Sequence, residues 1–139
     1  MTEIKKILLG IDGSDGSYKA AGYAADLAAR VGATVTLMFV VSDQYTDRFI
    51  AKPTYTPNEE IMVGSRFNRA KAIMEEKHVT YDTMVEMGNP AQKLIATAES
   101  GYDMIVLGTR GLSAVKEFML GSVSSKVVQH SKIPVLIVP

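Results

Sequence analysis

Cysteine is absent from this sequence of 139 residues, and its charges cancel, with 15 Lys and Arg against 15 Asp and Glu. Without cysteine, a disulfide framework, a cysteine-based metal site and thiol chemistry are all excluded. The balanced charge argues against bulk nucleic acid or an acidic membrane surface as a partner, because proteins that bind these usually carry a basic excess. We therefore expect neither a nucleic-acid partner nor a membrane partner.

Long apolar runs are also missing. The longest strictly apolar runs are about five residues, whereas a membrane-spanning helix needs about 18. The apolar run that begins at Ile7 is interrupted by Asp12, which is not typical of a signal peptide. A chain of this length can bury roughly 68–70% of its unfolded surface in one core. The sequence predicts a single cytoplasmic domain over residues 1–139.

Short apolar runs alternate with stretches of helical periodicity along the whole sequence. The runs 7–11 and 104–107 are continuously apolar, which is typical of strands buried on both faces. Further strands are predicted over 34–41, 79–87 and 133–138. Five strands that alternate with four helices, mostly across short turns, predict an α/β fold with an open parallel sheet and helices on both faces.

Capping residues mark the predicted helix ends. Ser14 or Asp15 begins the first helix and Gly32 ends it, while Thr56-Pro57-Asn58-Glu59 and Asn89-Pro90-Ala91-Gln92 begin the second and third. The residues that helical spacing places inward are Ala21, Ala24, Ala25, Ala28 and Val31, then Val63, Phe67, Ala70 and Met74, then Ala91, Leu94, Ile95 and Ala98, and finally Val123, Val127 and Val128. Most of the eight methionines fall at inward positions and are expected to fill the core.

Glycine-containing loops follow the first and the fourth predicted strands. In open parallel sheets ligands bind beyond the carboxyl ends of the strands, so neighbouring first and fourth strands would place these loops across one crevice. Asp12, at the end of a buried strand, requires solvent, a partner, a ligand or a metal. Taken alone, however, the first loop is explained as a tight strand-to-helix turn, because Gly10, Gly13 and Gly16 do not have dinucleotide-binding spacing.

The second loop is the stronger indication of an anion site. Gly121 and Ser122 stand at the start of a predicted helix, where free N–H groups and a partial positive charge suit phosphate oxygens. Ser122 and Ser124 add hydroxyl donors, and Arg110 offers a charge-assisted hydrogen bond. Residues 102–139 carry four basic and two acidic residues. The alternative is that these glycines only form a turn and a helix cap, but their joint position after a buried strand favours the anion site.

The pattern Gly108-x2-Gly111-x9-Gly121-Ser122 resembles the glycine pattern of the ATP-binding branch of the universal stress protein family. The segments Asp12-Gly13-Ser14, Gly88-Asn89-Pro90 and Ile133-Pro134-Val135 are similar to that family as well, and the resemblance extends over essentially the whole chain. It implies a Rossmann-like sheet of the adenine nucleotide alpha hydrolase type, with strand order 3-2-1-4-5. The first and fourth strands would then be neighbours.

The resemblance also implies a site. ATP would lie between the first and fourth strands, with Asp12 near the adenine and ribose or a bound metal and the backbone of Val40 against adenine. Mg²⁺ would accompany the nucleotide. The residues implied for nucleotide binding are Gly10, Asp12, Val40, Gly108, Thr109, Arg110, Gly111, Gly121, Ser122, Val123 and Ser124. The final strand, Val135–Val138, is an exposed edge of the kind that pairs, and the resemblance implies a homodimer there.

Three functions remain open from the sequence, and binding is favoured. An ATP-binding regulatory protein of the stress response agrees with the glycine pattern. A slow ATP hydrolase or nucleotidyl-transfer enzyme is the alternative, but no P-loop is present, and His78 and His130 are expected to be structural or exposed, so no catalytic residue is predicted. The third is a nucleotide-free dimeric scaffold. The loop 42–58 is expected to be a lid, a partner surface or simply mobile.

Overall fold

The structure is a computed structural model that describes residues 3–42, 57–109 and 120–139, with residues 57–63 by backbone alone. Strands and helices alternate along the chain as β1 (Lys6–Gly10), α1 (Asp15–Val31), β2 (Thr34–Ser42), α2 (Pro57–Glu76), β3 (Tyr81–Gly88), α3 (Pro90–Ala98), β4 (Met104–Gly108), α4 (Ser122–His130) and β5 (Val135–Val138). The strands pair in parallel in the order β3-β2-β1-β4-β5. The predicted α/β class and strand order are confirmed.

Each face of the sheet packs against one pair of helices. Alternate residues of a strand point to opposite faces, so Ile7 and Leu9 join the cluster under α1 and α2, whereas Leu8 joins the cluster under α3 and α4. All three side chains are 0% exposed. The burial of β1 on both faces explains its continuously apolar sequence.

The ends of α1 and the start of α3 form as the capping residues predict, whereas Thr56, the predicted cap of α2, lies outside the described residues. The Ser14 hydroxyl accepts a hydrogen bond from the Ser17 N–H at 3.1 Å, and Gly32 ends α1 in the left-handed conformation at φ 74°. The Asn89 side chain accepts from the Gln92 N–H at 3.1 Å at the start of α3. Local hydrogen-bonding chemistry thus sets these boundaries.

Two residues predicted to face inward are exposed instead. Val31 is 46% exposed, because it is the last residue of α1 and the chain turns away at Gly32. Val128 is 45% exposed, because Val127 takes the buried position and the next residue lies about 100° further around the helix. The side chain of Val63 lies outside the described part of the chain.

Two strands begin later than predicted. The Val79 N–H donates to the Met74 carbonyl at 2.9 Å, so Val79 completes the end of α2, and β3 begins at Tyr81. Ile133 is held in a turn, since its N–H donates to the Ser131 hydroxyl at 3.1 Å, and β5 begins at Val135. Most of the predicted 42–58 loop lies outside the described residues. Over the described ranges, no helix is both long and apolar enough to cross a bilayer.

Candidate functional site

The carboxyl ends of β1 and β4 meet at one edge of the sheet. The two strands are direct neighbours, with Leu9 opposite Val106. From β1 the chain continues to β2 on one side, whereas β4 and β5 lie on the other side. This reversal of strand order opens a crevice between the loops that follow β1 and β4. The structure therefore brings together the carboxyl ends of the two strands after which the sequence predicted the site.

The loop after β1 is organised around Asp12. One carboxylate oxygen of Asp12 accepts hydrogen bonds from the Ser14 N–H at 2.9 Å and from the Ser14 hydroxyl at 2.5 Å. The Ser14 hydroxyl in turn caps α1. The other Asp12 oxygen has no hydrogen-bond partner among the described residues, and the side chain is half-buried. Ser14 thus fixes the orientation of Asp12, and none of the described residues occupies its second oxygen.

The segment after β4 is joined to the start of α4 by two short hydrogen bonds. The Gly121 N–H donates to the Thr109 carbonyl at 2.7 Å, and the Ser124 hydroxyl donates to the Gly108 carbonyl at 2.7 Å. Because the Ser124 hydroxyl gives its hydrogen to Gly108, the donor that Ser124 retains is its backbone N–H. Arg110 and Gly111 lie outside the described residues.

The start of α4 differs from the starts of α1 and α3. Gly121 is its N-cap and provides no side-chain hydrogen bond, whereas Ser14 and Asn89 cap the other two helices. The first intrahelical bond runs from the Ser125 N–H to the Gly121 carbonyl at 2.9 Å. The N–H groups of residues 122–124 therefore precede the first helical donor, Ser125, and the described residues give them no acceptor, so they can bind an anion.

Two of the predicted site glycines have packing reasons of their own. A Cβ atom on Gly108 would lie 2.9 Å from the backbone oxygen of Gly16 in α1. A Cβ atom on Gly10 would lie 2.5 Å from the Leu107 side chain. Both glycines allow close approach within the protein, which sequence spacing alone does not reveal. Their contact with a ligand stays a prediction.

The backbone of Val40 faces the crevice. The Thr34 N–H donates toward β1, to the Lys5 carbonyl, and the Val35 N–H donates toward β3, to the Thr80 carbonyl. Because this direction alternates along a strand, the backbone groups of even-numbered β2 residues face β1. Met38 still accepts from the Ile11 N–H at 2.8 Å, but β1 ends at Gly10. The N–H and carbonyl of Val40 therefore point to the side that β1 has left.

Arg66, which belongs to no sequence motif, also lies beside this edge. Its guanidinium carbon is 4.5 Å from the centre of the Phe39 ring, and its side chain runs along Gly13. Arg66 and Gly13 are far apart in the sequence and belong to no shared motif. Only the packing of α2 beside α1 brings them together.

The groups with shifted pKa values lie at the opposite edge of the sheet. Hydrogen bonds from the Lys5 and Lys6 N–H groups lower the pKa of Asp103. A hydrogen bond to Glu75 raises the pKa of Tyr81, and one to Asp26 raises that of Lys77.

Both histidines also lie at that edge. His78 follows α2 with φ 57°, and His130 ends α4; both are exposed, as expected. In the crevice, the described residues provide donors and one carboxylate but no paired acid and base.

The described residues do not form a metal site of their own. No group of three or more histidine, aspartate or glutamate side chains comes together within the described ranges. Asp12 is a single carboxylate, and one of its oxygens is already hydrogen-bonded to Ser14. The described residues would therefore supply few of the ligands of a cation at this edge.

Comparison with known proteins identifies the family. The model of the universal stress protein family matches residues 3–139. The chain belongs to the universal stress protein family. It is 39% identical over 144 aligned residues to universal stress protein YxiE of Bacillus subtilis, covering 96% of this chain and 97% of that protein. The resemblance that the glycine pattern indicated is confirmed.

Solved universal stress proteins share the fold. A universal stress protein crystallised in complex with cAMP has a TM-score of 0.75 at 26% identity, covering 99% of this chain and 98% of that one. The protein from Archaeoglobus fulgidus in complex with dAMP has a TM-score of 0.74, with full coverage of both chains. Its identity of 17% supports the fold alone. The first of these relatives holds an adenine nucleotide.

Proposed function

We propose that this universal stress protein binds ATP in the crevice between β1 and β4 and acts as a regulatory protein of the stress response. The observation that carries the proposal is the start of α4, which has no side-chain cap and is fastened to the end of β4 by the bond from Gly121 to Thr109. Three N–H groups at a helix start suit phosphate oxygens. The solved relative that holds cAMP supports an adenine nucleotide as the ligand.

The proposed contacts follow from where the groups lie. The phosphates contact Gly108, Thr109 and the N–H groups of Ser122, Val123 and Ser124, together with Arg110 and Gly111. The ribose lies near the carboxylate of Asp12, and Gly10 borders the crevice. Adenine reaches the backbone of Val40, since its N–H and carbonyl face the side that β1 has left. Mg²⁺ enters with the phosphates, which supply the ligands that the described residues lack.

Binding without rapid turnover is the function that these groups support best. Hydrolysis or nucleotidyl transfer needs a positioned base or a strong electrophile. The histidines lie at the other edge of the sheet, and Asp12 is held by Ser14. Slow ATP hydrolysis remains the alternative, and release of phosphate under steady state distinguishes it from binding. A rate that Asp12→Ala leaves unchanged would exclude the best candidate residue.

We also propose a cytoplasmic homodimer formed through β5. Among the described strands β5 lies at the edge of the sheet, beside β4, and Val135, Leu136 and Ile137 are only partly buried. The Ile105 N–H donates to the Pro134 carbonyl and the Thr109 N–H to the Val138 carbonyl. Because backbone groups point to alternate sides along a strand, those of Val135 and Ile137 point outward, where a second copy can pair with them.

A binding experiment with a matched control tests the nucleotide site. In the wild-type protein, ATP with Mg²⁺ is expected to raise the melting temperature, because binding stabilises the folded state. Gly121→Val is expected to abolish that rise, because the branched side chain stands beside the N–H groups of the helix start. Gly22→Val is the control, since a Cβ on Gly22 meets no atom within 4 Å. If millimolar ATP leaves the wild-type melting temperature unchanged, the proposed function is wrong.

A further inference from the structure

Arg66 of α2 lies along the loop that carries Asp12. A Cβ atom on Gly13 would lie 3.4 Å from both Cγ and Cδ of Arg66 and 3.5 Å from its Nε. The guanidinium carbon of Arg66 is 4.5 Å from the centre of the Phe39 ring. Since Gly13 directly follows Asp12, the Arg66 side chain forms part of the wall of the crevice.

Arg66 is held in place with no ion pair to any described residue. Its backbone carbonyl accepts a hydrogen bond from the Tyr18 hydroxyl at 3.0 Å, which fixes this turn of α2 against α1. Among the described side chains, its guanidinium forms no salt bridge or hydrogen bond, and the residue is half-buried. A planar guanidinium that stacks on one ring keeps a second face and its N–H donors for another group.

The strand order places Arg66 at the base end of the proposed site. The start of α4 follows β4, whereas Phe39 belongs to β2, and β1 lies between these strands. Two strand spacings, about 10 Å, therefore separate the two flanks of the crevice. A nucleotide whose phosphates lie at α4 directs its base toward β2, where the backbone of Val40 and the side chain of Arg66 lie.

We infer that Arg66 contacts the base of the bound nucleotide. Its guanidinium, supported from one side by Phe39, receives the base on its other face by stacking. The inference rests on the proposed function, because it assumes that the crevice takes a nucleotide. Since the phosphates lie on the far flank, the contribution of Arg66 is independent of the number of phosphates.

Two substitutions separate stacking from charge. Arg66→Met keeps an apolar stem against Gly13 but removes the planar group and the charge. Arg66→Lys keeps the charge and the stem but removes the planar group. In NMR titrations with adenosine, AMP and ATP at one ionic strength, both variants are expected to weaken binding of all three ligands by a similar factor, about tenfold.

Arg69 provides the matched control. It lies three residues further along α2, stacks on Tyr18 at 4.6 Å and pairs with Asp15 at 3.4 Å. Arg69→Met therefore removes the same kind of stacked cation from the same helix without touching Gly13. Its nucleotide affinities are expected to equal those of the wild-type protein.

The outcomes that contradict the inference are distinct. If Arg66→Met binds the three ligands with wild-type affinity, Arg66 does not contact the nucleotide, while the proposed function stands. A loss that grows from adenosine to ATP, or full affinity in Arg66→Lys, would mean that Arg66 acts on the phosphates by charge. If the wild-type protein binds none of the three ligands, the proposed function itself is wrong. If Arg66→Met does not fold, Arg66→Lys still decides the question.

Discussion

Gly108, at the end of β4, lies so near the backbone of Gly16 in the first turn of α1 that it has no room for a side chain. A Cβ atom on Gly108 would lie 2.9 Å from the Gly16 carbonyl oxygen and 3.0 Å from its carbonyl carbon. Both obstructing atoms belong to the main chain, which cannot change rotamer to make room. Gly108, the first glycine of the pattern that the sequence analysis describes, therefore has a role in the packing of α1 that does not depend on a ligand.

Gly108→Ala is expected to destabilise the nucleotide-free protein by about 1–3 kcal/mol, the usual cost of forcing an extra group into a packed interior. Gly22→Ala is the control, because Gly22 lies in α1 with open space around it. Alanine there is expected to stabilise the helix by roughly 0.5–1 kcal/mol. Urea unfolding of both variants measures the two effects. Unchanged stability of Gly108→Ala would show that α1 can shift without cost.

A buried chain of hydroxyl groups crosses the face of the sheet under α3. The Tyr102 hydroxyl donates to the Thr36 hydroxyl at 2.7 Å, and the Thr36 hydroxyl donates to the Asp82 carboxylate at 2.6 Å. Thr36→Val is expected to cost about 1–3 kcal/mol, because it leaves the buried Tyr102 hydroxyl without its acceptor. Adding Tyr102→Phe is expected to recover part of that loss.

A double-mutant cycle of unfolding free energies measures this coupling. The two single variants and the double variant are compared with the wild-type protein under the same denaturant conditions. Additive losses would show that the Tyr102 hydroxyl finds another partner when Thr36 is replaced.

Asp103 is expected to make stability depend on pH. Hydrogen bonds from the Lys5 and Lys6 N–H groups lower its pKa in the folded protein below the ordinary value of 3.8. Its contribution is therefore complete above the unfolded pKa and is lost as the pH falls through the folded pKa. Asp103→Asn is expected to lower the melting temperature at pH 7, and the difference from wild type is expected to shrink in the acid range below pH 3.8.

The control for this pH profile is Glu3→Gln. Glu3 forms an exposed pair with Lys5 at 3.3 Å in the same segment, and such pairs contribute little to stability. Its melting temperature is expected to follow that of the wild-type protein across the range. A gap between Asp103→Asn and wild type that stays constant with pH would contradict the assignment to the Asp103 charge.

One substitution in β5 can disrupt the proposed dimer without weakening the pairing of β5 with β4. Ile137→Pro removes an N–H group that faces outward and leaves the bonds between β5 and β4 intact, because proline is tolerated on the open side of an edge strand. The variant is expected to be monomeric in light scattering after gel filtration. Ile137→Ala, which loses the side chain but keeps the N–H, is expected to remain dimeric. Dimers of Ile137→Pro would place the interface elsewhere.

Local chemistry in the sequence determined most of the fold. Apolar runs and helix caps depend on interactions within a few residues of the chain, so their spacing predicts the elements and their boundaries. Examples are the runs around Leu8 and Val106 and the caps at Ser14, Gly32 and Asn89. Val31 and Val128 were wrongly predicted to be buried, because helical periodicity does not show where the buried face of a helix ends. The strand order was predicted from the family resemblance, because hydrophobic periodicity in the sequence does not show which distant segments pair.

The candidate site likewise has features that the sequence predicts and features that depend on the tertiary structure. The sequence by itself determined that glycines and Asp12 follow two buried strands and that Gly121 begins a helix. Only the tertiary structure decided that the start of α4 is hydrogen-bonded to the end of β4, that the Val40 backbone faces the crevice, and that Arg66 lies along Gly13. Each of these depends on which segments the strand order and helix packing bring together. Contacts between residues far apart in the chain have no local signature, and so the fold alone decides them.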